Sequence, residues 1–179
     1  ISDVDFKYAE KMGTSVKLFG SSRIKAGEIH AWVAPVMIGK DHPLYSVSDV
    51  FNGILVKGNM LGTSMFYGSG AGMLPTASAV IADIIEAVQN RNRHVEMGWD
   101  DSRLAIAPTQ TSSSRFFIRI KGIAEERLAE VLKVFGDVTV IELDHMDEFA
   151  VVTDVMTEAE YEKKAKELSG IRQRIRAEV

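Results

Sequence analysis

Gly68-Ser69-Gly70-Ala71-Gly72-Met73-Leu74-Pro75-Thr76-Ala77-Ser78-Ala79-Val80-Ile81-Ala82-Asp83-Ile84-Ile85 is a glycine-rich turn that runs straight into an apolar helix. Three glycines in five positions allow positive φ and let a second molecule approach the backbone without meeting a Cβ. Pro75 suits a first helical turn, where an N–H has no intrahelical partner to lose. Ala77, Val80, Ile81, Ile84, Ile85 and Val88 then recur at helical spacing, so the helix is expected to bury one face in a core. The glycine spacing does not match G-x-G-x-x-G, and the lysine of a phosphate loop is absent. On spacing alone, a tight strand-to-helix turn and a ligand cradle both remain open.

Working outward, the upstream segment reads as alternating strands and turns. Ser2 to Met12 is a short helix capped by Ser2 or Asp3, with Phe6, Ala9 and Tyr8 on its buried side and Gly13 as its stop. Ser15 to Ser22 and Glu28 to Ile38 are strands; Pro35 inside the second marks an edge or an interruption. Asp41-His42-Pro43-Leu44 breaks the chain, and Ser46 to Val50 could make one helical turn. Gly53 to Lys57 and Thr63 to Tyr67 form a hairpin around a glycine-containing turn. Residues 1–91 are therefore expected to give a mixed sheet of about four strands with a long helix across it.

Asn90-Arg91-Asn92-Arg93-His94 ends that helix, and 92–114 reads as a linker with a short strand at Leu104 to Ala107. From Arg115 the pattern becomes βαββαβ. A strand through Phe116 to Ile120 is followed by a helix from Glu126 to Phe135 and strands at Val138 to Leu143 and Phe149 to Val155. Thr157 and Glu160 then form a capping box opening a helix to Leu168, before a last strand from Ile171. The fold class is thus α+β: a mixed sheet covered by helices, then a ferredoxin-like unit over 115–179.

Composition narrows the function. The 179 residues are 46% hydrophobic and 26% charged with a net charge of -4, which disfavours a general nucleic-acid binder. With no cysteine, thiolate chemistry and disulfides are excluded, which fits a cytoplasmic protein. No apolar run approaches a membrane span. His30, His42, His94 and His145 lack metal-ligand spacing, so no metal site is expected. Asp83 reads as a surface acid or a hydrogen-bonded buried one, Lys17 as structural, and Phe66 and Tyr67 as core packing in preference to a pocket wall. The chain starts at Ile1 and not Met, which reads as a processed chain or a piece of a longer one.

Gly13-x-x-x-Lys17-Leu18, Pro35 with His42-Pro43-Leu44, Asn52-Gly53-Ile54, and above all Tyr67-Gly-x-Gly-Ala-Gly-x-x-Pro-Thr-Ala-Ser-Ala-Val to Asp83 resemble homoserine dehydrogenase downstream of its cofactor domain. The resemblance covers residues 1–91, and the βαββαβ tail looks like an ACT regulatory domain. It implies an NAD(P)-dependent oxidoreductase of threonine and methionine biosynthesis that interconverts L-homoserine and L-aspartate 4-semialdehyde. Gly70, Ala71 and Gly72 would then approach the nicotinamide cofactor, NAD or NADP. The Rossmann domain, the substrate-binding glutamate and the catalytic Asp/Lys pair would lie upstream of Ile1, so this chain would carry no catalytic residue and be inactive alone. A homodimer is implied. Threonine is the effector such tails bind, but Lys121-Gly122-Ile123-Ala124-Glu125-Glu126 lacks the family's Asp-x-Pro-Gly turn. The rival reading is a stand-alone amino-acid-binding or dimerisation module of ACT type.

Overall fold

The computed structural model describes residues 1–93 and 98–179. In chain order the elements are α1 (Asp3–Lys11), β1 (Ser15–Lys25), β2 (Glu28–Ile38), β3 (Phe51–Gly58), β4 (Gly62–Ser69) and α2 (Met73–Gln89). They continue with β5 (Ala105–Ile106), a 3-10 turn (Thr109–Thr111), β6 (Ser113–Lys121), α3 (Ala124–Phe135), β7 (Val138–Glu142), β8 (Glu148–Thr153), β9 (Met156–Thr157), α4 (Glu158–Ala165) and β10 (Ile171–Glu178). The chain divides into two compact units, one of residues 1–40 with 103–179 and one of residues 41–102. The expected division at 92–114 therefore does not coincide with the compact units. Residues 1–40 pack with the tail because β2 runs parallel to β10, pairing Val36, Met37 and Ile38 with Arg176, Ala177 and Glu178.

The first unit is built on one sheet in the order β1-β2-β10-β6-β8-β7, with β5 beside β2 and β9 beside β6. Its last four strands have the antiparallel order of a split βαβ unit. One face packs under α3 and α4 through Phe116, Ile118, Ile120, Val131, Phe149 and Tyr161; the other packs Phe117, Ala150, Ile175 and Met37 against Tyr8 and Ala9 of α1. Alternate residues of β6 thus serve opposite cores, as the two-residue period of a strand requires. Fully burying each Phe or Ile contributes about 1.5–3 kcal/mol.

Local signals explain the ends of these helices. Ser2 caps α1 and Asp5 closes the capping box, with Ser2 N–H donating to Asp5 Oδ2 at 2.7 Å. Gly13, at φ +65°, then lets the chain turn into β1. Thr157 and Glu160 cap α4 reciprocally, through Glu160 N–H to Thr157 Oγ1 at 3.2 Å and Thr157 N–H to Glu160 Oε2 at 2.7 Å. Phe6 is not on the buried side of α1: it is half exposed, and Asp5 takes the inward position beside Tyr8 and Ala9. Buried Asp5 is tolerable because a cation meets it there.

Pro35 sits in a physical gap. Odd-numbered β2 residues turn their backbone groups away from β1, as the Ala107 N–H to Ile29 carbonyl and Gly39 N–H to Glu178 carbonyl bonds show. On that side β5 stops at Ile29 and β10 begins at Val36. The N–H that Pro35 lacks would have pointed into this gap, so the ladder to β1 loses nothing.

The second unit is smaller. β3 and β4 form a hairpin of their own, in register from Phe51 opposite Ser69 to Gly58 opposite Gly62. The four-stranded sheet expected for residues 1–91 is therefore split, with β1 and β2 in the large sheet and β3 and β4 in a two-stranded one. The alternation that marks strands carries no information about which strands pair. Residues 46–50 hold turns and no helical segment. No residue of α2 is buried, so the core expected for its apolar face is not found among the described residues. No helix among the described residues is long and apolar enough to cross a membrane.

Candidate functional site

The turn from β4 to α2 is held from below by the segment entering β3. The N–H groups of Gly70 and Ala71 both donate to the Val50 carbonyl, at 3.2 and 3.3 Å. A Cβ on Gly70 would stand 1.9 Å from Asn52 Nδ2, so a larger residue there would displace the Asn52 side chain. Gly72 has φ +109° and ψ 157°, a conformation that side chains avoid, and it caps α2. Its carbonyl accepts from Thr76 N–H at 3.2 Å and Thr76 Oγ1 at 2.8 Å. Gly72 is thus required by the turn itself, and Gly70 leaves room for Asn52.

Gly70, Ala71 and Gly72 are exposed, so the backbone is reachable from solvent. The first-turn N–H groups of Met73 and Leu74 have no helical carbonyl four residues back, and the helix dipole makes this end electropositive. The turn therefore suits a polar or anionic part of a ligand, such as the carboxamide or phosphate of a dinucleotide. Beside it, Phe51 stacks on Tyr67 with ring centroids 5.0 Å apart. Phe66 and Tyr67 are 65% and 54% exposed, so the core role expected of them is not met within this chain.

Other residues singled out in the sequence are dispersed. Asp83 is an exposed residue of α2. Lys17 is half buried in β1, opposite Val36. His42 Nδ1 accepts from Leu44 N–H at 3.1 Å, stiffening the break before β3. His145 is an exposed turn residue at φ +60°, and His94 lies outside the described residues. His30 is half-buried in β2, and its Nδ1 is buried without a partner among the described residues. No three His, Asp or Glu side chains converge as metal ligands among the described residues.

Two ionic clusters in the first unit were not legible in the sequence. Arg119 donates to Asp5 Oδ1 at 2.7 Å and to Glu148 Oε1 at 2.9 Å, while Arg172 reaches Glu148 Oε2 at 2.9 Å. Burial pushes the Asp5 carboxyl up, but hydrogen bonds from Arg119 and the Ser2 backbone, with the charge of Arg119, outweigh it and hold Asp5 below the usual carboxylate range. Tyr8, whose hydroxyl donates to the Glu148 carbonyl at 3.2 Å, is pushed up to about 12 by burial and then by the Glu148 charge. In the second cluster, Glu158 pairs with both Arg174 and Arg176.

With this geometry in place, comparison with known proteins is informative. Residues 1–85 match the sequence model of homoserine dehydrogenase. The homoserine dehydrogenase of Synechocystis is 49% identical over 92 residues, 49% of this chain and 21% of that protein. That of Pseudomonas aeruginosa is 32% identical over 129 residues, 68% of this chain and 30% of that protein. The chain thus spans about a fifth to three tenths of these relatives. A homoserine dehydrogenase structure from Thiobacillus denitrificans superposes with a TM-score of 0.81 at 24% identity, over 99% of this chain and 46% of that one, which establishes the fold. The Staphylococcus aureus enzyme gives 0.69 at 28% identity over 98% of this chain and 44% of that one. Over residues 1–85, which hold α1 to β4 and most of α2, the chain is similar to the homoserine dehydrogenase family.

Proposed function

We propose that this chain is the C-terminal part of an NAD(P)-dependent homoserine dehydrogenase, with Gly70, Ala71 and Gly72 set against the cofactor. The reaction converts L-aspartate 4-semialdehyde, NAD(P)H and a proton to L-homoserine and NAD(P)+, and runs in reverse from the alcohol. The observation that carries this reading is the exposed Gly70-Ala71-Gly72 turn, inside the segment that matches the family. NAD or NADP, held elsewhere by a Rossmann domain, supplies the hydride. The residues present contribute position: a turn with Cβ-free backbone at Gly70 and Gly72, held by the Val50 carbonyl, at the head of α2. No acid–base pair for the proton is assigned here, so the 179 residues alone are inactive in this reading.

A homodimer accounts for the uncovered apolar surface. Val80, Ile81, Ile84, Ile85 and Val88 of α2 are each more than half exposed, and contiguous apolar surface of this kind marks an interaction site. The βαββαβ tail is in this reading an ACT-type domain in a cytoplasmic enzyme, structural rather than threonine-sensing. Arg127 occupies the β6–α3 turn, donating to the carbonyls of Lys121 at 2.8 Å and Ser169 at 2.9 Å, and a Cβ on Gly122 would stand 3.0 Å from Arg127 Cδ. This filled turn disfavours the rival reading of a stand-alone amino-acid sensor.

The test is a chimera in which the chain replaces the corresponding part of the Staphylococcus aureus enzyme, assayed by L-homoserine-dependent NAD(P)+ reduction beside the 179-residue chain. Activity in the chimera alone is expected. Turnover by the isolated chain, or a folded but inactive chimera, would overturn the proposal. Calorimetric titration of the chain with L-threonine should give no saturable heat beyond that given by L-alanine at the same concentrations.

A further inference from the structure

An open cleft of about 370 Å³ in the first unit lies where β2 parts from its neighbours, walled by Trp32, Val33 and Pro35, by Gln110, and by Arg174 and Arg176. Its lining carries Glu158 and Glu162 as well as Arg174 and Arg176. Arg119 and Arg172 are matched by two carboxylates, Asp5 and Glu148, whereas Arg174 and Arg176 share the single buried carboxylate of Glu158. Arg176 is 8% exposed at its side chain; its Nε donates to Glu158 Oε1 at 2.7 Å. Its Nη1, however, is buried and has no hydrogen-bond partner among the described residues. A desolvated guanidinium N–H without an acceptor is costly, and the cost is relieved by any acceptor that reaches it.

We infer that this cleft binds a small carboxylate-bearing molecule, whose carboxylate accepts from Arg176 Nη1. Trp32, whose ring lies 4.3 Å from the Arg176 guanidinium carbon, forms the cover that moves to admit it. Two further features favour a carboxylate. The guanidinium of Arg174, 36% exposed at its side chain, stands at the opening as a second positive charge. The backbone N–H of Val33 faces the gap beside β2, as the alternation of odd-numbered residues there requires, and supplies a second donor. Exposed Glu162 at the rim would meet an ammonium group, so a simple carboxylate and an amino acid share the recognising chemistry and differ only there. The site lies outside the Gly70–Gly72 turn and does not rest on the proposed reaction.

The chain has two tryptophans, so Trp99→Phe leaves Trp32 as the sole indole N–H to follow by NMR. The 15N-labelled variant is titrated separately with propionate, L-alanine, chloride and phosphate at matched ionic strength. A saturable shift of the Trp32 resonance with a Kd on the order of 1 mM is expected from propionate, L-alanine or both. Propionate alone identifies a ligand without an ammonium group, and L-alanine alone an amino acid held also by Glu162. Arg176→Lys should weaken binding at least about tenfold. If that variant fails to fold, Val33→Glu, at a 75% exposed position, should still fold and weaken binding several-fold by like charge. No saturable shift, or an equal one from chloride or phosphate, would overturn the assignment.

Discussion

α2 and α3 are both amphipathic helices, but they meet opposite fates. In the first unit, Ala124, Val131 and Phe135 of α3 are buried against the sheet. In the second, α2 carries Val80, Ile81, Ile84, Ile85 and Val88, and none of them is buried. An apolar stripe states that a helix needs a surface; it does not state which polypeptide provides it. The first unit is thus stabilised by what it contains, while the second leaves its apolar helix face exposed.

The sharpest way to break the first unit is through its charges. Arg119→Leu would leave Asp5 and Glu148 buried without their main partner, and should cost about 3–5 kcal/mol in urea unfolding. A loss below about 1 kcal/mol would show that water reaches the cluster. The same cluster gives the unit a pH signature at both ends. Asp5 is held below its ordinary value, so the stability it contributes is present at neutral pH and disappears as pH falls below about 4. Tyr8 is raised to about 12, so its neutral form favours the folded state, and stability declines as pH rises from about 10 towards 12. Asp5→Asn should flatten the acid limb and Tyr8→Phe the alkaline limb; unchanged limbs would assign the slopes to other groups.

In the second unit the most sensitive position is backbone. Gly72→Ala forces a Cβ into a conformation reserved for glycine and should cost about 1–3 kcal/mol locally. Hydrogen exchange at Thr76, whose N–H bonds the Gly72 carbonyl, would report it. In the chimera the same change should raise the KM for NAD(P)+ more than it lowers kcat. An unchanged KM would leave Gly72 a purely structural glycine.

These contrasts also mark where the sequence stopped being readable. The bounds of β2, the short strand at β5, the hairpin and the Thr157–Glu160 box follow from local chemistry, and the structure has them where that chemistry puts them. The glycines of the turn were equally visible, though the reason for Gly70 depended on Asn52, eighteen positions away. What local chemistry could not supply is pairing at long range. Nothing near Asp5 announces Arg119, and nothing near Arg176 announces Val36. Phe6 was misplaced for that reason, because an acid takes the inward position when its cation comes from another strand.

A smaller effect separates capping from packing. Thr157→Ala removes the hydroxyl that accepts from Glu160 N–H, and α4 should lose about 1 kcal/mol. Thr157→Ser should restore most of it, since the oxygen is kept. A loss of several kcal/mol in both variants would mean that Thr157 acts through β9 and its pairing with Ser113, not as a cap.

The smallest expected change in stability tests the second unit's side of the contrast. Ile84 is 53% exposed, so Ile84→Lys should alter the urea midpoint of the chain by no more than about 0.5 kcal/mol. The same substitution places a cation in the middle of the apolar face, next to Ile81, Ile85 and Val88, where a partner surface would have to desolvate it. Sedimentation should therefore show a shift from dimer to monomer while the unfolding curve stays in place. The two readouts divide because α2 adds nothing to the core of its own chain. If Ile84→Lys unfolded the unit without changing its association state, α2 would be packed within the chain in solution, and the contrast between the two helices would collapse.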